Sequence, residues 1–422
     1  MVKQKYITVL DIGSSFVRVV VAEIIPGEKP RVVGVGKTPS LGMRKGVIID
    51  LEDVSKSIKS SMEDAERMSG VRIEDVYVAV GGGHLKCMST KGVVGVSRAD
   101  GEVTEEDVER VIDSSQAVNV THNYEILHII PQSFTLDDQK GIREPVGMTG
   151  VRLEMKGVVV VGFTPYLRNI AKCVNRAGMD LNGFVAAPLA SAKAILNKRQ
   201  RELGVVSVDI GGETTSVAIF EERELIYLSV LPIGANHITN DVAIGMRTAI
   251  DVAEKAKLKF GSAIPGEIDK KEKINLASLS SEEEGVISRH HIAEIIEARV
   301  EEIFQMVEKE LKKVNRSGLL PAGAVLTGGG SCLYGMVDLA KENLKLPAQV
   351  GFPDGLSGLV DKIDDPSCSV AAGSVLWIME EGHQAEPSSV TSLTKNDFAK
   401  KFDNSEMVNT AKKWLKDLLP GG

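Results

Sequence analysis

The chain has few cysteines, few aromatic residues and no excess of positive charge. Its four cysteines, Cys87, Cys173, Cys332 and Cys368, have no metal-ligand spacing, so we expect reduced thiols and neither a zinc site nor a disulfide framework. An aromatic content of 4% leaves no base-stacking surface, and a net charge of −8 opposes contacts with phosphate backbones. The composition therefore argues against a general nucleic-acid binder.

Long apolar runs are also missing. No segment approaches the roughly 20 apolar residues that a membrane-spanning helix needs, and the first residues lead directly into a strand-like run. We therefore expect neither a signal peptide nor a transmembrane helix. Glycine is abundant, with 41 residues, beside 43% hydrophobic and 26% charged residues. At 422 residues, this composition is typical of an α/β protein with many turns and two or more domains.

The segment 204–220, GVVSVDIGGETTSVAIF, combines two β-branched runs with a glycine turn. The first run predicts a buried strand that ends at Asp209, and the second predicts the strand that returns. The two glycines of the turn allow positive φ and let backbone N–H groups approach an anion. Asp209 is placed to hold the water shell of a magnesium ion, and Thr214 and Thr215 offer hydroxyls to phosphate oxygens. A lone copy of this motif would also fit an ordinary hairpin.

A second copy of the motif lies near the N-terminus. There a strand-like run ends at Asp11, and a glycine turn leads into another β-branched run. The offset from Asp11 to Asp209 equals the offset from Gly13 to Gly211, at 198 residues. A third glycine cluster, at 328–330, follows an apolar strand and precedes a helix-like stretch, which together predict an anion site. Two facing hairpins and a third glycine loop describe a nucleotide held in a cleft between two similar domains.

This pattern resembles the superfamily of actin, sugar kinases and chaperone ATPases, in which two phosphate loops and an adenosine loop surround ATP and magnesium. The resemblance implies a first phosphate loop made of Asp11, Gly13, Ser14, Ser15 and Arg18. It implies a second one made of Asp209, Gly211, Gly212, Glu213, Thr214 and Thr215, and an adenosine loop made of Gly328, Gly329, Gly330 and Ser331. ATP or ADP would bind there, with Mg²⁺ held through water by Asp11 and Asp209. Glu254 and Lys257 match the helix that approaches the ribose and adenine, and a solvated helix face would give the same pattern.

From about residue 84 to residue 162 the pattern changes to short strands around one helix. Within this insertion, GIREPVGMTGVRLE at 141–154, together with RKGVIID at 44–50, resembles the FtsA family of bacterial actin-related cell-division proteins. In that family a small inserted subdomain replaces one of the outer subdomains of actin. The motifs PLASAKAILN, DIGGETT, AEKAKLKFGSA and LTGGGS occur in the matching order, so the resemblance covers essentially residues 5 to 380.

We therefore expect an α/β, actin-like two-lobed ATPase fold with duplicated core domains. The first core domain is predicted at 1–83 and 163–203, with a small α+β subdomain inserted at 84–162. The second core domain is predicted at 204–235 and 315–380, with an outer subdomain at 236–314. A flexible linker is predicted at 381–407, and an amphipathic membrane-targeting helix at 408–420.

The end of the chain combines apolar positions at helical spacing with lysines that lie mostly on the other faces. A basic amphipathic helix with an interfacial tryptophan, placed after a linker, is typical of a peripheral membrane anchor. The residues predicted to bind anionic lipids are Lys412, Lys413, Trp414, Leu415, Lys416, Leu418 and Leu419. A helix docked on the surface of the protein itself would show the same periodicity.

The resemblance to FtsA implies a peripheral protein on the cytoplasmic face of the bacterial membrane, at the division site. The implied partners are the C-terminal peptide of the tubulin-like protein FtsZ, further copies of the chain in actin-like protofilaments, anionic lipids and later division proteins. Several filament-forming relatives have Glu or Gln near the start of the first linking helix, where this chain has Ala187 before Pro188. Because such a residue orients the attacking water, we expect ATP binding with slow or negligible hydrolysis.

Two other functions stay open on the sequence. A pilus-assembly scaffold of the PilM type shares the nucleotide fold and the inserted subdomain, although such proteins generally lack a basic amphipathic tail. A small-molecule kinase of the sugar-kinase branch needs a carboxylate general base and a substrate pocket, for which the sequence shows no convincing candidate. A chaperone ATPase needs a separate peptide-binding domain, and none follows residue 380.

Overall fold

The first half of the protein begins with an antiparallel set of strands followed by a long helix. The computed structural model describes residues 5–117 and 120–384. The elements before the insertion are β1 (Lys5–Ile12), β2 (Phe16–Ile24), β3 (Arg31–Pro39), β4 (Met43–Arg44), β5 (Val47–Ile48), α1 (Leu51–Ser69) and β6 (Asp75–Val80). Strands β1 and β2 are buried along nearly their whole length, which explains their almost continuous valine and isoleucine runs.

An inserted subdomain follows β6 and has a sheet and a small core of its own. Its elements are β7 (Lys86–Gly95), α2 (Glu105–Ser114), β8 (Tyr124–Leu136), β9 (Gln139–Ile142) and β10 (Arg152–Phe163). The strand order is β7-β10-β8-β9, and α2 packs against this sheet over a core that includes Leu153 and Met155. Helix α2 begins at a capping box, in which the side chains of Thr104 and Asp107 each accept a hydrogen bond from the other's backbone N–H.

The chain then returns to the first half and continues into the second. The returning elements are α3 (Thr164–Arg176), β11 (Asp180–Ala186), α4 (Ala187–Ile195) and α5 (Lys198–Leu203). The second half starts with β12 (Val205–Ile210), β13 (Thr215–Glu221), β14 (Glu224–Leu231), α6 (Ala235–Met246), α7 (Ile250–Phe260), β15 (Lys273–Asn275), β16 (Val286–Ser288) and α8 (Arg289–Lys313). It ends with β17 (Ala324–Thr327), α9 (Met336–Leu344), β18 (Ala348–Val350), β19 (Ser357–Gly358) and α10 (Ser369–Gln384).

The two large sheets share one topology. The first-half sheet has the order β11-β6-β1-β2-β3, with β19 added at its edge, and the second-half sheet has the order β18-β17-β12-β13-β14. In each sheet an antiparallel hairpin, formed by β1 and β2 or by β12 and β13, lies beside a parallel strand, β6 or β17. The turns of the two hairpins therefore occupy equivalent positions in the two halves.

Helices α4 and α10 pack against each other between the two sheets. Their backbones approach so closely that a Cβ on Gly373 would lie 1.7 Å from the carbonyl oxygen of Ala190. Only glycine fits there, and the neighbouring Ala371 and Ala372 are fully buried. This close contact holds the two halves together at the base of the cleft that their hairpins line.

The end of the chain differs from the predicted boundary. Helix α10 continues to Gln384, so it runs into the segment predicted as a linker from residue 381. The rest of the predicted linker and the whole predicted membrane-targeting helix at 408–420 lie outside the described residues. Within residues 5–117 and 120–384, no helix is both long and apolar enough to cross a membrane.

Candidate functional site

The turns of the two central hairpins have the same backbone geometry. In the first turn, the N–H of Gly13 donates to the carbonyl oxygen of Phe16 over 3.1 Å. In the second, the N–H of Gly211 donates to the carbonyl oxygen of Thr214 over 2.8 Å. Each hairpin therefore closes in the same way after its aspartate, as the common offset in the sequence predicts.

The two turns face each other across the cleft at close range. A Cβ on Gly212 would lie 2.2 Å from the hydroxyl oxygen of Ser15 in the other half. That hydroxyl donates to Oδ1 of Asn236 over 3.4 Å, and the backbone N–H of Asn236 donates to the carbonyl oxygen of Gly212 over 2.7 Å. Glycine at position 212 is thus required by the approach of the opposite turn.

Asp11 lies at the end of β1 with its carboxylate buried beside a guanidinium. Nη1 of Arg18 is 4.0 Å from Oδ2 of Asp11, and the two residues are directly opposed in the register of β1 and β2. Burial raises the pKa of Asp11 to about 6, because it disfavours the charged form, and the positive charge of Arg18 opposes that rise.

Asp209 occupies the equivalent position at the end of β12. Burial, and then the negative charge of Asp11, raise its pKa to about 7, while Arg18 and a hydrogen bond with Ser191 oppose the rise. The two carboxylates are therefore close enough to repel each other across the cleft. A divalent cation between them would remove that repulsion and favour the charged form of both.

Arg18 connects the first hairpin to the chain just before α10. Its Nη2 donates to the hydroxyl oxygen of Ser367 over 3.0 Å. Its Nε is buried and has no hydrogen-bond partner among the described residues. A buried guanidinium N–H without an acceptor is costly, so this group suits an anionic oxygen brought by a ligand.

The third glycine loop covers the carboxylate of Asp209. Gly328 has a φ of 79°, and a Cβ there would lie 2.3 Å from Oδ1 of Asp209 and 2.6 Å from the carbonyl oxygen of Ile210. The Ser331 hydroxyl donates to the carbonyl oxygen of Gly328 over 2.7 Å, so it closes the loop. Both the backbone conformation and the available space therefore require glycine at position 328.

Glu254 and Lys257 on α7 form a polar cluster with α6, in which Lys257 is buried and Glu254 is partly exposed. Nζ of Lys257 is 2.6 Å from Oε2 of Glu254 and 2.7 Å from the hydroxyl oxygen of Thr239. Lys257 is only 6% exposed, so a solvated helix face does not describe it. Nζ also donates to the carbonyl oxygen of Ala235 over 3.3 Å, so each of its three N–H groups has an acceptor.

The hydroxyls of the two threonines after the second turn are not equivalent. The Thr215 hydroxyl is fully buried and donates to the carbonyl oxygen of Ile233 over 2.8 Å, so it stabilises the fold around the turn. Thr214 lies in the turn itself and is only partly buried. At the start of α4, Ala187 is buried and its side chain offers no carboxylate.

Four residues that the sequence alone did not single out join the site. They are Lys45, Ser191, Asn236 and Ser367. Lys45 and Ser191 lie in RKGVIID and PLASAKAILN, two motifs that carry the family resemblance, and could have been found there. Asn236 and Ser367 lie far along the chain from Ser15 and Arg18, and no local pattern marks them.

The site fits a nucleotide with a divalent cation. Two glycine turns present backbone N–H groups at the cleft, a carboxylate pair lies between them, and Nε of Arg18 has no acceptor. Within residues 5–117 and 120–384, no group of three or more His, Cys, Asp or Glu side chains could hold a metal directly. The carboxylate pair matches a magnesium ion that keeps most of its water shell.

Duplicated sheets, the packed pair of helices α4 and α10, and facing turns are the features of the two-lobed actin-like class of proteins. MreB5 of Spiroplasma citri, in a crystal structure bound to ADP, matches with a TM-score of 0.54 over 91% of this chain and 99% of its own, at 14% identity. A PilM-PilN type IV pilus biogenesis complex matches with a TM-score of 0.62 over 88% of this chain and 98% of its own, at 17% identity. At these identities the likeness establishes the fold.

The sequence narrows the class to one family. A model described as "Cell division protein FtsA" matches residues 206–373, and one described as "SHS2 domain inserted in FTSA" matches residues 82–161. The cell division protein FtsA of Pseudomonas aeruginosa is 35% identical over 98% of each chain, and that of Escherichia coli K12 is 34% identical over 90% of this chain and 91% of its own. The chain belongs to the FtsA family of cell-division proteins.

The family membership confirms the resemblance to FtsA seen in the sequence. It also favours FtsA over a pilus-assembly scaffold of the PilM type. The pilus complex shares the fold at 17% identity, whereas FtsA proteins share twice that identity over nearly the whole chain. The actin-like fold with an inserted subdomain is likewise confirmed. The assignments of individual nucleotide-binding residues stay predictions that the geometry supports.

Proposed function

We propose that this chain binds ATP with Mg²⁺ in the cleft between its two halves and polymerises on the cytoplasmic face of the membrane. In this role it anchors the FtsZ ring at the division site and helps to recruit later division proteins. Membership of the FtsA family supports the cellular role, and the fold neighbour bound to ADP supports the choice of ligand.

The observation that carries the proposal is the pair of buried aspartates at the ends of β1 and β12. Burial raises the pKa of both Asp11 and Asp209, and the charge of Asp11 adds to the rise at Asp209, which is a costly arrangement for an empty site. Bound magnesium would supply the positive charge that the pair needs. The glycine turns would present N–H groups to the phosphates, and Lys257 and Glu254 would meet the ribose and base.

The proposed role depends on the binding of ATP more than on its hydrolysis. The first residue of α4 is Ala187, and no carboxylate on that helix orients an attacking water in the manner of faster relatives. We expect slow or negligible turnover, well below about one per second. Nucleotide would then act by favouring a closed, self-associating form, which requires tighter binding to that form than to the open one.

Vesicle flotation tests the membrane part of the proposal. Full-length protein and a truncation after Ser392 are floated with anionic vesicles, each with ATP and without nucleotide. We expect only the full-length protein to float, because the predicted lipid-binding side chains of the tail lie beyond the truncation. ATP should increase flotation if nucleotide drives assembly on the membrane.

Two variants make this test specific. Replacing Trp414 and Leu418 with glutamate keeps the chain length but removes the apolar face of the predicted helix, so flotation should be lost. Asp209→Asn should still float, without the increase on addition of ATP. Flotation of the truncation, or failure of the full-length protein to float, would contradict membrane anchoring by the tail.

Binding of the FtsZ peptide tests the partner part of the proposal. The expected site is the outer subdomain of the second half, built from α6, α7, α8 and the hairpin of β15 and β16. A fluorescent peptide with the C-terminal sequence of FtsZ should bind the full-length protein and the truncation after Ser392 alike. Loss of peptide binding on truncation would instead place the contact in the tail.

A further inference from the structure

A hydrogen bond across the cleft connects the second phosphate turn to the first half. The backbone N–H of Lys45 donates to Oε2 of Glu213, a residue 168 positions further along the chain. Glu213 directly follows the two glycines of the second turn, so its carboxylate lies at the mouth of the candidate nucleotide site. At the equivalent position of the first turn the chain has Ser15. The first turn therefore has no carboxylate that could make the matching contact with the second half.

Lys45 is held in place by the turn in which it lies. Strands β4 and β5 form a hairpin whose two connecting residues, Lys45 and Gly46, have φ values of 50° and 73°. Positive φ at both positions is typical of a type I′ turn, which fixes the direction of the Lys45 N–H. Glu213 thus reaches a defined donor, and movement of the carboxylate would leave the Lys45 N–H without this acceptor.

The same hairpin rests on the entrance to the inserted subdomain. A Cβ on Gly46 would lie 2.8 Å from Cα of Gly82, and one on Gly82 would lie 2.9 Å from the carbonyl oxygen of Gly46. Two residues further on, His84 is buried, and its Nδ1 accepts a hydrogen bond from the N–H of Phe163 at the exit of the insertion over 3.4 Å. The hairpin that contains Lys45 therefore packs directly against the segment that leads into the inserted subdomain.

The charge of Glu213 makes this contact sensitive to the ligand. Its partner is a neutral backbone N–H, which leaves the negative charge of the carboxylate uncompensated by the bond. The terminal phosphate of a nucleoside triphosphate would add negative charge at the same turn, and like charges repel each other. A nucleoside diphosphate lacks this terminal phosphate, so it would place less negative charge beside Glu213.

We propose that Glu213 is the specificity-determining residue that distinguishes a nucleoside triphosphate from a diphosphate in this protein. With a diphosphate, Glu213 holds the hairpin of β4 and β5 through Lys45. A triphosphate repels the carboxylate, releases the hairpin and frees its contact with the entrance of the inserted subdomain. This inference rests on the nucleotide site of the proposed function. It adds that Glu213 is the side chain that responds to the terminal phosphate.

Hydrogen exchange measured by mass spectrometry on the full chain tests the inference, with ADP or AMPPNP and Mg²⁺ at concentrations that a binding titration shows to be saturating. In the wild type, the peptide containing Lys45 should exchange slowly with ADP. AMPPNP should raise its exchange rate about tenfold, the value for one hydrogen bond to a charged acceptor at an exposed site. The peptide containing Gly82 should respond in the same direction.

Two variants separate the charge of Glu213 from its hydrogen bond. Glu213→Gln keeps an oxygen acceptor for Lys45 without the charge, so the hairpin should stay protected with either nucleotide. Glu213→Ala removes the acceptor, so the hairpin should exchange rapidly with both. An unfolding transition at the wild-type midpoint checks that each variant is folded.

The outcomes distinguish the inference from the proposed function. If both nucleotides bind and the wild-type hairpin exchanges equally with each, the inference alone is wrong. A Glu213→Gln variant that still responds to AMPPNP would also overturn it, because repulsion would not be the cause. If neither nucleotide binds, the proposed function and the inference fail together.

Discussion

The two central hairpins have one backbone design and two different sets of charges. Asp11 is opposed by Arg18 across its hairpin, whereas Asp209 is opposed by Ser216 at the equivalent position. Burial raises the pKa of both carboxyls, to about 6 for Asp11 and about 7 for Asp209, and Arg18 opposes both rises. The one guanidinium of Arg18 therefore partly offsets the charges of both carboxylates. Because no cation on its own hairpin opposes Asp209, we expect Asp209 to depend more on an added cation than Asp11 does.

Two further differences between the hairpins lie in their turns. Where the first turn has Ser14 and Ser15, the second has Gly212 and Glu213. Glycine lets the opposite turn approach, and Glu213 reaches Lys45 across the cleft. Duplication has thus kept the turn geometry that phosphate binding needs, while the contacts that join the two halves come from side chains unique to one copy.

The largest effect on nucleotide affinity is expected from Gly328→Ala, which acts on the second hairpin alone. The added Cβ would lie 2.3 Å from Oδ1 of Asp209 at a φ of 79°, so the carboxylate must move. We expect nucleotide affinity to fall about 100-fold, or on the order of 3 kcal/mol, by isothermal titration calorimetry. Gly329→Ala is the matched control, because its Cβ would meet only Cβ of Ser367 at 3.6 Å. Equal losses in the two variants would refute the special position of Asp209.

A second prediction concerns the pH dependence of stability without nucleotide or magnesium. The pKa of Asp209 is raised from 3.8 to about 7, so the folded protein binds a proton that the unfolded chain has lost, and stability falls as pH rises between these values. Asp209→Asn removes this loss. The free energy of unfolding of the variant, measured by urea denaturation, should exceed that of the wild type by an amount that grows by about 4 kcal/mol from pH 4 to pH 8.

The difference between variant and wild type is the quantity to follow in that experiment. His84 and His128 have a pKa lowered to about 4 by burial, so their contributions to stability rise with pH between 4 and 6.5 and oppose the aspartate effect in each protein. They cancel in the difference. A difference that stays constant with pH would show that Asp209 is not held in a raised-pKa state.

Asp11→Asn should act in the same direction as Asp209→Asn, with a smaller effect. The pKa of Asp11 is raised from 3.8 to about 6 even with Arg18 opposite it, so its ionisation costs stability as pH rises between these values. The free energy of unfolding of the variant, measured by the same urea denaturation, should exceed that of the wild type by an amount that grows by roughly 2 kcal/mol from pH 4 to pH 8. A variant less stable than the wild type at pH 8 would mean that the attraction between Arg18 and the carboxylate outweighs the cost of its burial.

The smallest effect is expected from Thr215→Val, which gives the second hairpin the residue that the first has at Val17. The Thr215 hydroxyl donates to the carbonyl oxygen of Ile233 inside the fold. Its loss should lower the free energy of unfolding by about 1 kcal/mol and leave nucleotide affinity within twofold of the wild type, since one internal hydrogen bond is removed. Calorimetric titration beside thermal unfolding separates these effects. A large loss of affinity would place this hydroxyl on the phosphates.

Much of the fold could be predicted from local pattern. The β-branched runs around Asp11 and Asp209, with glycines in their turns, predict two hairpins, because strand propensity and turn chemistry depend on near neighbours. Helix α10 continues past residue 381, where the linker is predicted to begin, because the polar residues there are not helix-stop signals by themselves.

The sequence by itself determined the duplicated motifs, the family and the composition of the candidate site. Only the tertiary structure decided which of these groups meet, because contacts such as Arg18 with Ser367 and Glu213 with Lys45 join residues 349 and 168 positions apart. The same packing decided that the Thr215 hydroxyl belongs to the fold and that Lys257 is buried. Burial and distance set the pKa values of the two aspartates, and neither quantity is a property of a short stretch of chain.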